Sequence, residues 1–336
     1  MSLRVGVAGF GLAGRVFHAP LVAAVDGLEL SAVMTRSPER AAQARDAHPG
    51  VRVVEDLDAL LDGIDVLVVA TPNSSHVEVA LSGLERGLAV VVDKPVAAGA
   101  PQARRLLEAG GRLTVFQNRR WDGDFLTAQR LLREGALGEA IRLESRFEKF
   151  SPQVDASRWR EQPDADKGGG VLLDLGAHLV DQAVELFGPP ATVYAELDRR
   201  RPGARVEDDV FIALEHAGAV RSHLWMGKAA PLAGPRMRLS GLAAGFACDG
   251  IDPQEDQLAA GLHPGDPGYG EAPPGRLADQ PLAIERGRYE DFYAGVRDWA
   301  AGDAPPPVEP GDSVRVLEIL EAARRSAEQR AVITSF

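Results

Sequence analysis

The stretch that decides the fold is Leu3-Arg-Val-Gly-Val-Ala-Gly-Phe-Gly-Leu-Ala-Gly14, in which a short apolar run ends in three spaced glycines. The glycines form the pattern G-x-G-x-x-G at the point where a strand would pass into a helix. There the first glycine permits a tight turn, the second lets a pyrophosphate approach the backbone, and the third lets the helix pack on the strand. The helix N-terminus would hold the anion. The motif predicts a dinucleotide site formed by Gly9, Phe10, Gly11, Leu12 and Gly14; a plain glycine-rich turn is the alternative.

Short runs rich in Val, Leu and Ile alternate with stretches of helical length from this motif to Phe116. The predicted strands are Arg4–Ala8, Glu29–Met34, Val51–Val54, Val66–Ala70, Ala89–Val92 and Leu113–Phe116. The predicted helices between them include Ala13–Val25, Pro38–Asp46, Ser74–Arg86 and Gly99–Ala109. This order of strands and helices predicts an α/β domain with a doubly wound parallel sheet of the Rossmann type.

Beyond Phe116 the strands alternate polar and apolar positions, as in Ile141–Phe147, which is typical of a half-exposed sheet. Further strands of this kind are predicted at Asp209–Leu214, Ala219–Trp225 and Met237–Ser240, with helices at Phe125–Arg133, Leu172–Phe187, Tyr289–Ala301 and Ser313–Gln329. We therefore predict an α+β domain built on a large mixed or antiparallel sheet. The boundary is placed near Asn118, which gives domains of residues 1–118 and 119–336. The stretch from His263 to Gly275 is rich in proline and glycine and is predicted to be a surface loop.

Composition excludes several classes of protein. The 336 residues are 45 % hydrophobic and 26 % charged, which is typical of globular proteins and not of disordered ones. A net charge of -12 disfavours nucleic acid and anionic membranes as partners. Cys248 is the single cysteine, no apolar run is long enough to span a membrane, and no metal-binding cluster is evident. A cytoplasmic location is expected.

The end of the second predicted strand should determine which nicotinamide dinucleotide is bound. An acidic residue that binds the ribose of NAD is expected about 20 residues past the glycines, but this chain has Thr35-Arg36-Ser37 there. Arg36 supplies a cation, and the two hydroxyl groups supply donors, for a 2′-phosphate. We therefore expect NADP(H) in preference to NAD(H). A solvated arginine in a turn is the alternative.

Polar residues follow the fourth and fifth predicted strands, whose carboxyl ends face the ligand crevice of such a sheet. Thr71-Pro72-Asn73 and then His76 follow the fourth strand, and we expect them to lie beside the cofactor. Asp93-Lys94-Pro95 follows the fifth, so Lys94 is predicted at the mouth of the same crevice. A lysine that only adds surface solubility is the alternative.

Asp174 and His178 lie one turn apart on the helix predicted over Leu172–Phe187. Its core stripe is predicted to be Leu175, Leu179, Ala183 and Phe187, which leaves Asp174, His178, Asp181 and Glu185 together on another face. A carboxylate one turn away can orient an imidazole and favour its protonated form, as suits a group that accepts a proton from an alcohol. A weak, exposed helical pair is the alternative.

Together the glycine motif, Asp93-Lys94-Pro95 and the spacing of Asp174 and His178 resemble the Gfo/Idh/MocA family of nicotinamide-dependent sugar and cyclitol oxidoreductases. The resemblance extends from about Leu3 to Ile333. Four further strings resemble the branch that contains NADP-dependent scyllo-inositol dehydrogenases: Phe17-His18-Ala19-Pro20-Leu21, Gln117-Asn118-Arg119-Arg120-Trp121-Asp122, Ser157-Arg158-Trp159-Arg160-Glu161 and Gly250-Ile251-Asp252-Pro253-Gln254-Glu255-Asp256.

The resemblance implies that Lys94 and His178 handle the proton during catalysis, with Asp174 assisting, and that Lys94 also contacts the cofactor. It also implies a homodimer or homotetramer formed through the open face of the C-terminal sheet. Members usually have Glu before the lysine, so Asp93 is expected to have only a supporting role. Planar donors and an aromatic face suit a polyhydroxylated ring, and the candidate substrate-binding residues are Asn118, Arg120, Arg158 and Trp159. A structural role for any one of them is the alternative.

These inferences predict an NADP(H)-dependent oxidoreductase that transfers a hydride between the nicotinamide and a secondary alcohol or ketone. The substrate would be a polyol, a cyclitol such as an inositol, or a sugar. Two alternatives remain open at this point. One is a non-enzymatic regulator that senses the dinucleotide or a sugar on the same fold, and the other is a lyase or glycosidase assisted by NAD(P).

Overall fold

A computed structural model describes residues 2–155, 157, 161–163 and 169–336, and the structural statements below concern those residues. Six parallel strands form the first sheet: β1 (Leu3–Ala8), β2 (Leu28–Met34), β3 (Arg52–Val54), β4 (Val66–Val69), β5 (Ala89–Asp93) and β6 (Leu113–Phe116). Their spatial order is β3-β2-β1-β4-β5-β6. The chain therefore reverses its direction of winding between β1 and β4, where an open parallel sheet binds its ligand. The predicted Rossmann sheet is confirmed.

Helices cover both faces of this sheet. They are α1 (Ala19–Ala23), α2 (Pro38–Ala47), α3 (Leu57–Leu61), α4 (His76–Glu85) and α5 (Ala100–Ala109), with a short 3₁₀ helix over Asn73–Ser75 before α4. The helix after the glycine motif begins as a π-helix, Ala13–His18, and continues into α1. It differs from the predicted α-helix over Ala13–Val25 in this wider first turn.

The second sheet has eight strands in the described part of the chain. They are β7 (Ala140–Glu148), β8 (Thr192–Asp198), β9 (Asp209–Glu215), β10 (Arg221–Gly227), β11 (Met237–Gly241), β12 (Gly245–Cys248), β13 (Gly275–Leu277) and β14 (Gln280–Leu282). The order is β14-β13-β12-β11-β7-β10-β9-β8, in which β7 and β10 are parallel and the other pairs antiparallel. The sheet is therefore mixed.

The remaining helices are α6 (Gly123–Arg133), α7 (Val171–Asp174), α8 (Gly176–Phe187), α9 (Gln254–Ala259), α10 (Tyr289–Ala301) and α11 (Pro310–Gln329), with 3₁₀ helices over Asn118–Trp121 and Ala217–Ala219. Helices α8 and α11 lie on one face of the second sheet and bury alternate side chains such as Val193, Ile212 and Leu224. Because side chains alternate along a strand, the opposite face carries the intervening residues.

The two sheets share their apolar core. Leu67 and Val92 of the first sheet belong to the same buried cluster as Leu143 and Leu224 of the second. Helix α10 lies far along the chain, yet Phe292 and Val296 pack with Val5 and Val7 of the first sheet. The boundary predicted near Asn118 falls just after β6 and remains a prediction, since the core continues across it.

The predicted loop from His263 to Gly275 contains no helix or strand until Gly275, where β13 begins. It is not wholly at the surface, because the Tyr269 side chain is fully buried in the cluster that contains Phe10 and Tyr289. Among the described residues, no helix combines the length and apolar character that a membrane span requires.

Candidate active site

The glycine loop lies at the carboxyl end of β1, beside the end of β4. Gly9 has φ of +103°, and a β-carbon there would lie 2.6 Å from the Ala70 carbonyl oxygen. A β-carbon on Gly14 would lie 2.1 Å from the Gly9 carbonyl oxygen, whereas one on Gly11 would meet no protein atom within 4 Å. The first and third glycines are thus required by the fold, but the second borders open space. This space is where the motif predicts a pyrophosphate, so the loop fits a dinucleotide.

The other two predicted residues of this loop point in different directions. The Phe10 side chain is buried and makes an edge-on contact with His48, with ring centroids 6.5 Å apart. Its side chain therefore belongs to the core, although its backbone lies in the loop. Leu12 is 53 % exposed at the start of the helix.

The segment that follows β2 presents one cation and two hydroxyl groups. The Arg36 side chain is exposed and donates from Nε to the Glu55 backbone carbonyl at 3.3 Å. Thr35 Oγ1 accepts from the Ser37 backbone N–H at 3.2 Å, and Ser37 Oγ caps α2 by accepting from the Arg40 N–H at 3.3 Å. Both hydroxyl oxygens act as acceptors in these bonds, so each O–H can still donate to an anion beside Arg36.

His76 joins the loops that follow β4 and β5. Its ring is buried, with Nδ1 3.0 Å from the Pro95 carbonyl oxygen and Nε2 2.8 Å from the Thr71 carbonyl oxygen. The Thr71 hydroxyl oxygen accepts from Ser75 Oγ at 2.8 Å. His76 therefore holds Thr71, and with it the adjoining Pro72-Asn73, in place next to Lys94-Pro95.

Lys94 is the residue on which the two halves of the site meet. It follows β5, and its Nζ donates to the Asp174 backbone carbonyl at 2.9 Å and lies 3.3 Å from Asp174 Oδ1. Both side chains are largely shielded from solvent, with 17 % and 14 % exposed. The structure thus brings together two of the predicted catalytic residues that are 80 positions apart in the chain.

The helix predicted over Leu172–Phe187 is broken at Leu175, into α7 and α8. In a continuous helix the His178 N–H would bond to the Asp174 carbonyl, but here it bonds to the Leu175 carbonyl at 3.2 Å. The Asp174 carbonyl accepts instead from Lys94. The prediction of one continuous helix was therefore wrong, because Lys94, which follows a strand of the first sheet, donates a hydrogen bond to the Asp174 carbonyl.

The polar face predicted for that helix is divided between two partners. Asp174 pairs with Lys94, whereas Asp181 and Glu185 pair with Arg120. Leu179 and Ala183 of the predicted core stripe are fully buried, but Leu175 and Phe187 are only partly buried.

His178 lies in the first turn of α8 with only 5 % of its surface exposed. Burial, together with the nearby charges of Lys94, Arg119 and Arg236, lowers the pKa of His178 well below its ordinary value. The expectation that Asp174 favours the protonated imidazole was therefore wrong, because burial and three nearby cations favour the neutral form. A neutral imidazole is nevertheless the form that accepts a proton.

Two arginines beside His178 were not identified from the sequence as site residues. The guanidinium carbon atoms of Arg119 and Arg236 lie 4.8 and 4.2 Å from the centre of the Phe147 ring, which meets His178 edge to face at 6.1 Å. Gln182, one turn after His178, donates to the Arg119 carbonyl at 2.8 Å and accepts from Arg236 at 3.0 Å. No local sequence signal links these residues, which come from separate elements.

Arg120, a predicted substrate-binding residue, is surrounded by carboxylates. Its guanidinium donates twice to Asp181, at 2.9 and 2.8 Å, and lies 2.8 Å from Glu185 and 3.2 Å from Asp312. All of its nitrogen atoms are engaged in tying the Asn118–Trp121 segment to α8 and α11. These contacts use four of the five guanidinium N–H groups and give Arg120 a structural role, so its binding of substrate hydroxyls stays a prediction.

Asn118 lies at the start of this segment, directly after β6, and is 6 % exposed. Arg158 and Trp159, the other predicted substrate-binding residues, lie outside the described residues. Within the described ranges no group of three or more His, Cys, Asp or Glu side chains could hold a metal ion.

Comparison with known proteins agrees with this geometry. Residues 3–115 match the model of an oxidoreductase family with an NAD-binding Rossmann fold, and residues 125–246 match the Gfo/Idh/MocA C-terminal domain. The chain is 39 % identical to the uncharacterized oxidoreductase YdgJ of Escherichia coli, with 99 % of this chain and 98 % of that protein covered. It is 32 % identical to the NADP(+)-dependent scyllo-inositol 2-dehydrogenase IolW of Bacillus subtilis, with 99 % and 96 % covered.

A solved structure has the same fold throughout. The crystal structure of an oxidoreductase from Bacillus cereus superposes with a TM-score of 0.89 at 28 % identity and covers 100 % of this chain and 99 % of its own. A glycine loop shaped for a dinucleotide, a partly buried lysine and a buried histidine thus occur in a chain that matches these proteins from end to end. The protein belongs to the Gfo/Idh/MocA family of oxidoreductases.

Proposed function

We propose that this oxidoreductase transfers a hydride between NADP(H) and a secondary alcohol or ketone of a polyol, cyclitol or sugar. The observation that carries the proposal is the meeting of Lys94 with Asp174 at the carboxyl end of the Rossmann sheet. Asp174 is the last residue of α7 and lies just before α8, the helix that bears His178. The similarity to a scyllo-inositol dehydrogenase supports an inositol-like substrate.

In this proposal a bound nicotinamide supplies the hydride acceptor for alcohol oxidation. The glycine loop would hold the pyrophosphate over Gly11, and Thr71 would lie beside the ribose. His178, kept neutral by burial and by neighbouring cations, accepts the proton of the substrate hydroxyl. Lys94 donates a hydrogen bond to the same oxygen and stabilises the negative charge that develops there. Ketone reduction uses the same residues in reverse, with His178 returning the proton.

Asp174 has a precise task in this mechanism. Its carbonyl and carboxylate oxygens both lie within 3.3 Å of Lys94 Nζ and so fix the position of the ammonium group. An amine held by two acceptors loses little rotational freedom when substrate binds. Asp174 thus assists by placing Lys94, whereas the sequence suggested that it assists by charging His178.

The proposal is tested by single substitutions at the two proton-handling residues. Lys94→Ala and His178→Ala should each lower kcat by about 10²-fold or more, with the dissociation constant for NADPH almost unchanged. Lys149→Ala, at an exposed lysine, is the matched control and should leave turnover unchanged. Near-normal turnover in either site variant would refute the role assigned to that residue.

The preference for NADP(H) rests on Arg36 and its two hydroxyl neighbours. Arg36→Ala should raise the KM for NADP by about tenfold, the value of a charge-assisted hydrogen bond, and leave the KM for NAD almost unchanged. Arg45→Ala removes another exposed arginine, from the last turn of α2, and serves as the control. An unchanged NADP preference in Arg36→Ala would contradict this part of the proposal.

The two other activities considered for this fold give different results in the same assay. A regulator that only senses the dinucleotide would bind NADPH and turn over no substrate. A lyase or glycosidase that uses the cofactor transiently would convert substrate without net release of NADPH. Release of one NADPH for each alcohol oxidised supports the dehydrogenase and excludes both alternatives.

We further propose that the protein forms a homodimer or homotetramer through the second sheet. The face of this sheet opposite α8 and α11 carries Phe211 and Trp225, with ring centroids 5.1 Å apart, and Arg146 stacks on Trp225 at 3.9 Å. An aromatic centre bordered by both signs of charge suits pairing with a second copy. Trp225→Glu should reduce the mass measured by light scattering to that of the monomer, and an unchanged mass would argue against this interface.

A further inference from the structure

A buried row of polar groups lies behind Lys94 and has no part in the mechanism above. His18, from the helix that follows the glycine loop, is 0 % exposed, and its Nδ1 lies 2.6 Å from the Tyr293 hydroxyl oxygen. Its Nε2 lies 3.6 Å from Asp93 Oδ1. His18 thus connects three distant parts of the chain, which are the π-helix after β1, the end of β5 and helix α10.

The His18 ring is fixed on several sides. It packs against Phe116, with centroids 4.6 Å apart, and Phe116 also contacts Phe292 and Tyr293 of α10. We assign the Tyr293 O–H as the donor to Nδ1, because the ring proton then lies on Nε2 and faces the Asp93 carboxylate. A contact of 3.6 Å is longer than a standard hydrogen bond, so the attraction between Nε2–H and the carboxylate is mainly electrostatic.

The same carboxylate oxygen controls the backbone of the candidate catalytic lysine. Asp93 Oδ1 accepts from the Lys94 backbone N–H at 2.9 Å, while Lys94 Nζ is held by Asp174. The lysine is thereby fixed at both ends. Burial opposes ionisation of Asp93, but His18, His76 and Lys94 outweigh it and lower the pKa of this carboxyl. The acceptor of the Lys94 N–H therefore remains a carboxylate.

We propose that Tyr293 and His18 are positioning residues that act on Lys94 through Asp93. The inference rests on the proposed function, in which Lys94 contacts the reacting oxygen. The Tyr293 hydroxyl sets the orientation of the His18 ring, the ring holds Asp93 Oδ1, and that oxygen holds the Lys94 backbone. An asparagine at position 93 would keep an acceptor but lose the charge that attracts Nε2–H. The negative charge of Asp93 is therefore needed to position Lys94.

Tyr293→Phe is the most direct test because it removes one oxygen atom and retains the ring. We expect kcat to fall about tenfold, the equivalent of one hydrogen bond, with NADPH affinity nearly unchanged. The urea midpoint of unfolding should fall as well, because the buried Nδ1 of His18 loses its partner. Tyr269→Phe is the matched control, because Tyr269 is as deeply buried but its hydroxyl has no hydrogen-bond partner among the described residues. Its kcat should equal that of the wild type.

A double-mutant cycle separates positioning from a general loss of packing. If Tyr293 acts through Asp93, Tyr293→Phe should lower kcat much less in an Asp93→Asn background than in the wild type. Equal effects in both backgrounds would overturn the proposal. His18→Gln retains an amide donor and should recover part of the kcat that His18→Phe loses.

Chemical labelling of the amine gives a readout that needs no substrate. Lys94 held by Asp174 should react slowly with an amine reagent, and Tyr293→Phe should raise its labelling rate relative to exposed Lys149 by about tenfold, again the value of one hydrogen bond. A labelling rate and kcat that both stay within about twofold of the wild type would overturn the proposal. If Lys94→Ala retains full turnover, the proposed function fails, but the labelling rate still decides whether Tyr293 positions Lys94.

Discussion

Gly11 and Gly14 lie three residues apart in one loop, yet alanine should affect different properties at the two positions. It should destabilise the fold at Gly14 and weaken dinucleotide binding at Gly11. Neither has a positive φ, so backbone strain does not separate them. At Gly14 the new β-carbon would lie 2.1 Å from the Gly9 carbonyl oxygen, against about 3.3 Å for a close C–H···O contact. The helix must move by about 1 Å, and overpacking of this kind lowers the free energy of unfolding by about 3 kcal/mol. At Gly11 no protein atom lies within 4 Å of the added carbon.

Gly11→Ala should therefore leave the free energy of unfolding within about 1 kcal/mol of the wild type, with any change stabilising. The methyl group would nevertheless occupy the space assigned to the pyrophosphate and raise the dissociation constant for NADPH by about tenfold or more. Urea unfolding gives the first quantity, and calorimetric titration of the folded protein gives the second. Tight NADPH binding by Gly11→Ala would refute the position of the pyrophosphate. A Gly11→Ala protein destabilised by about 3 kcal/mol would refute the open space.

Three further predictions concern His178 and Arg120. Because the pKa of His178 is lowered well below its ordinary value, kcat for alcohol oxidation should stay level from about pH 8 down to about pH 6, and a fall centred near about pH 6.5 would contradict it. For the same reason His178 is protonated in the unfolded chain at a higher pH than in the folded protein, so the wild type loses stability as the pH falls from about 7 to about 5. His178→Gln lacks this loss, and in urea unfolding it should gain stability relative to the wild type over that range. Arg120→Met would leave the Asp181 carboxylate, 3 % exposed, without its bidentate cation. The free energy of unfolding should fall by about 3 kcal/mol or more, and a loss below about 1 kcal/mol would show that the pair is dispensable.

Most of the first sheet follows from its sequence, because strands buried on both faces are continuous apolar runs. The predicted Leu113–Phe116 agrees with β6, and the other five strands differ by one residue at an end. Short elements were missed: α3 spans five residues and β13 three, which is too few for a helical or alternating period to emerge. The parallel pairing of β7 with β10 was not predicted either, since alternation reports which face is buried and not which strand is the neighbour.

The site was predicted only where its chemistry is local. The glycine loop, Lys94 and His178 each follow a strand or lie at the start of a helix. Such positions can be recognised from the sequence pattern. The break at Leu175 depends on a hydrogen bond from a lysine 80 residues away, and the His18–Tyr293 contact joins residues 275 apart. Arg120 was predicted to bind substrate because its residue type suits a polyhydroxylated ring, but its ion pairs with α8 and α11 could not be predicted. Long-range pairing of polar groups has no periodic signature in a single sequence.

Isotope transfer from substrate to cofactor tests whether the enzyme transfers a hydride directly. The enzyme would be incubated with NADP⁺ and with cyclitols and sugars, scyllo-inositol among them, that carry deuterium on their carbon atoms. Mass spectrometry of the cofactor should then find one deuterium in each NADPH formed, and Lys94→Ala and His178→Ala should slow its appearance together. Substrate turnover with no deuterium retained in released NADPH, or no transfer from any compound of the panel, would contradict the account.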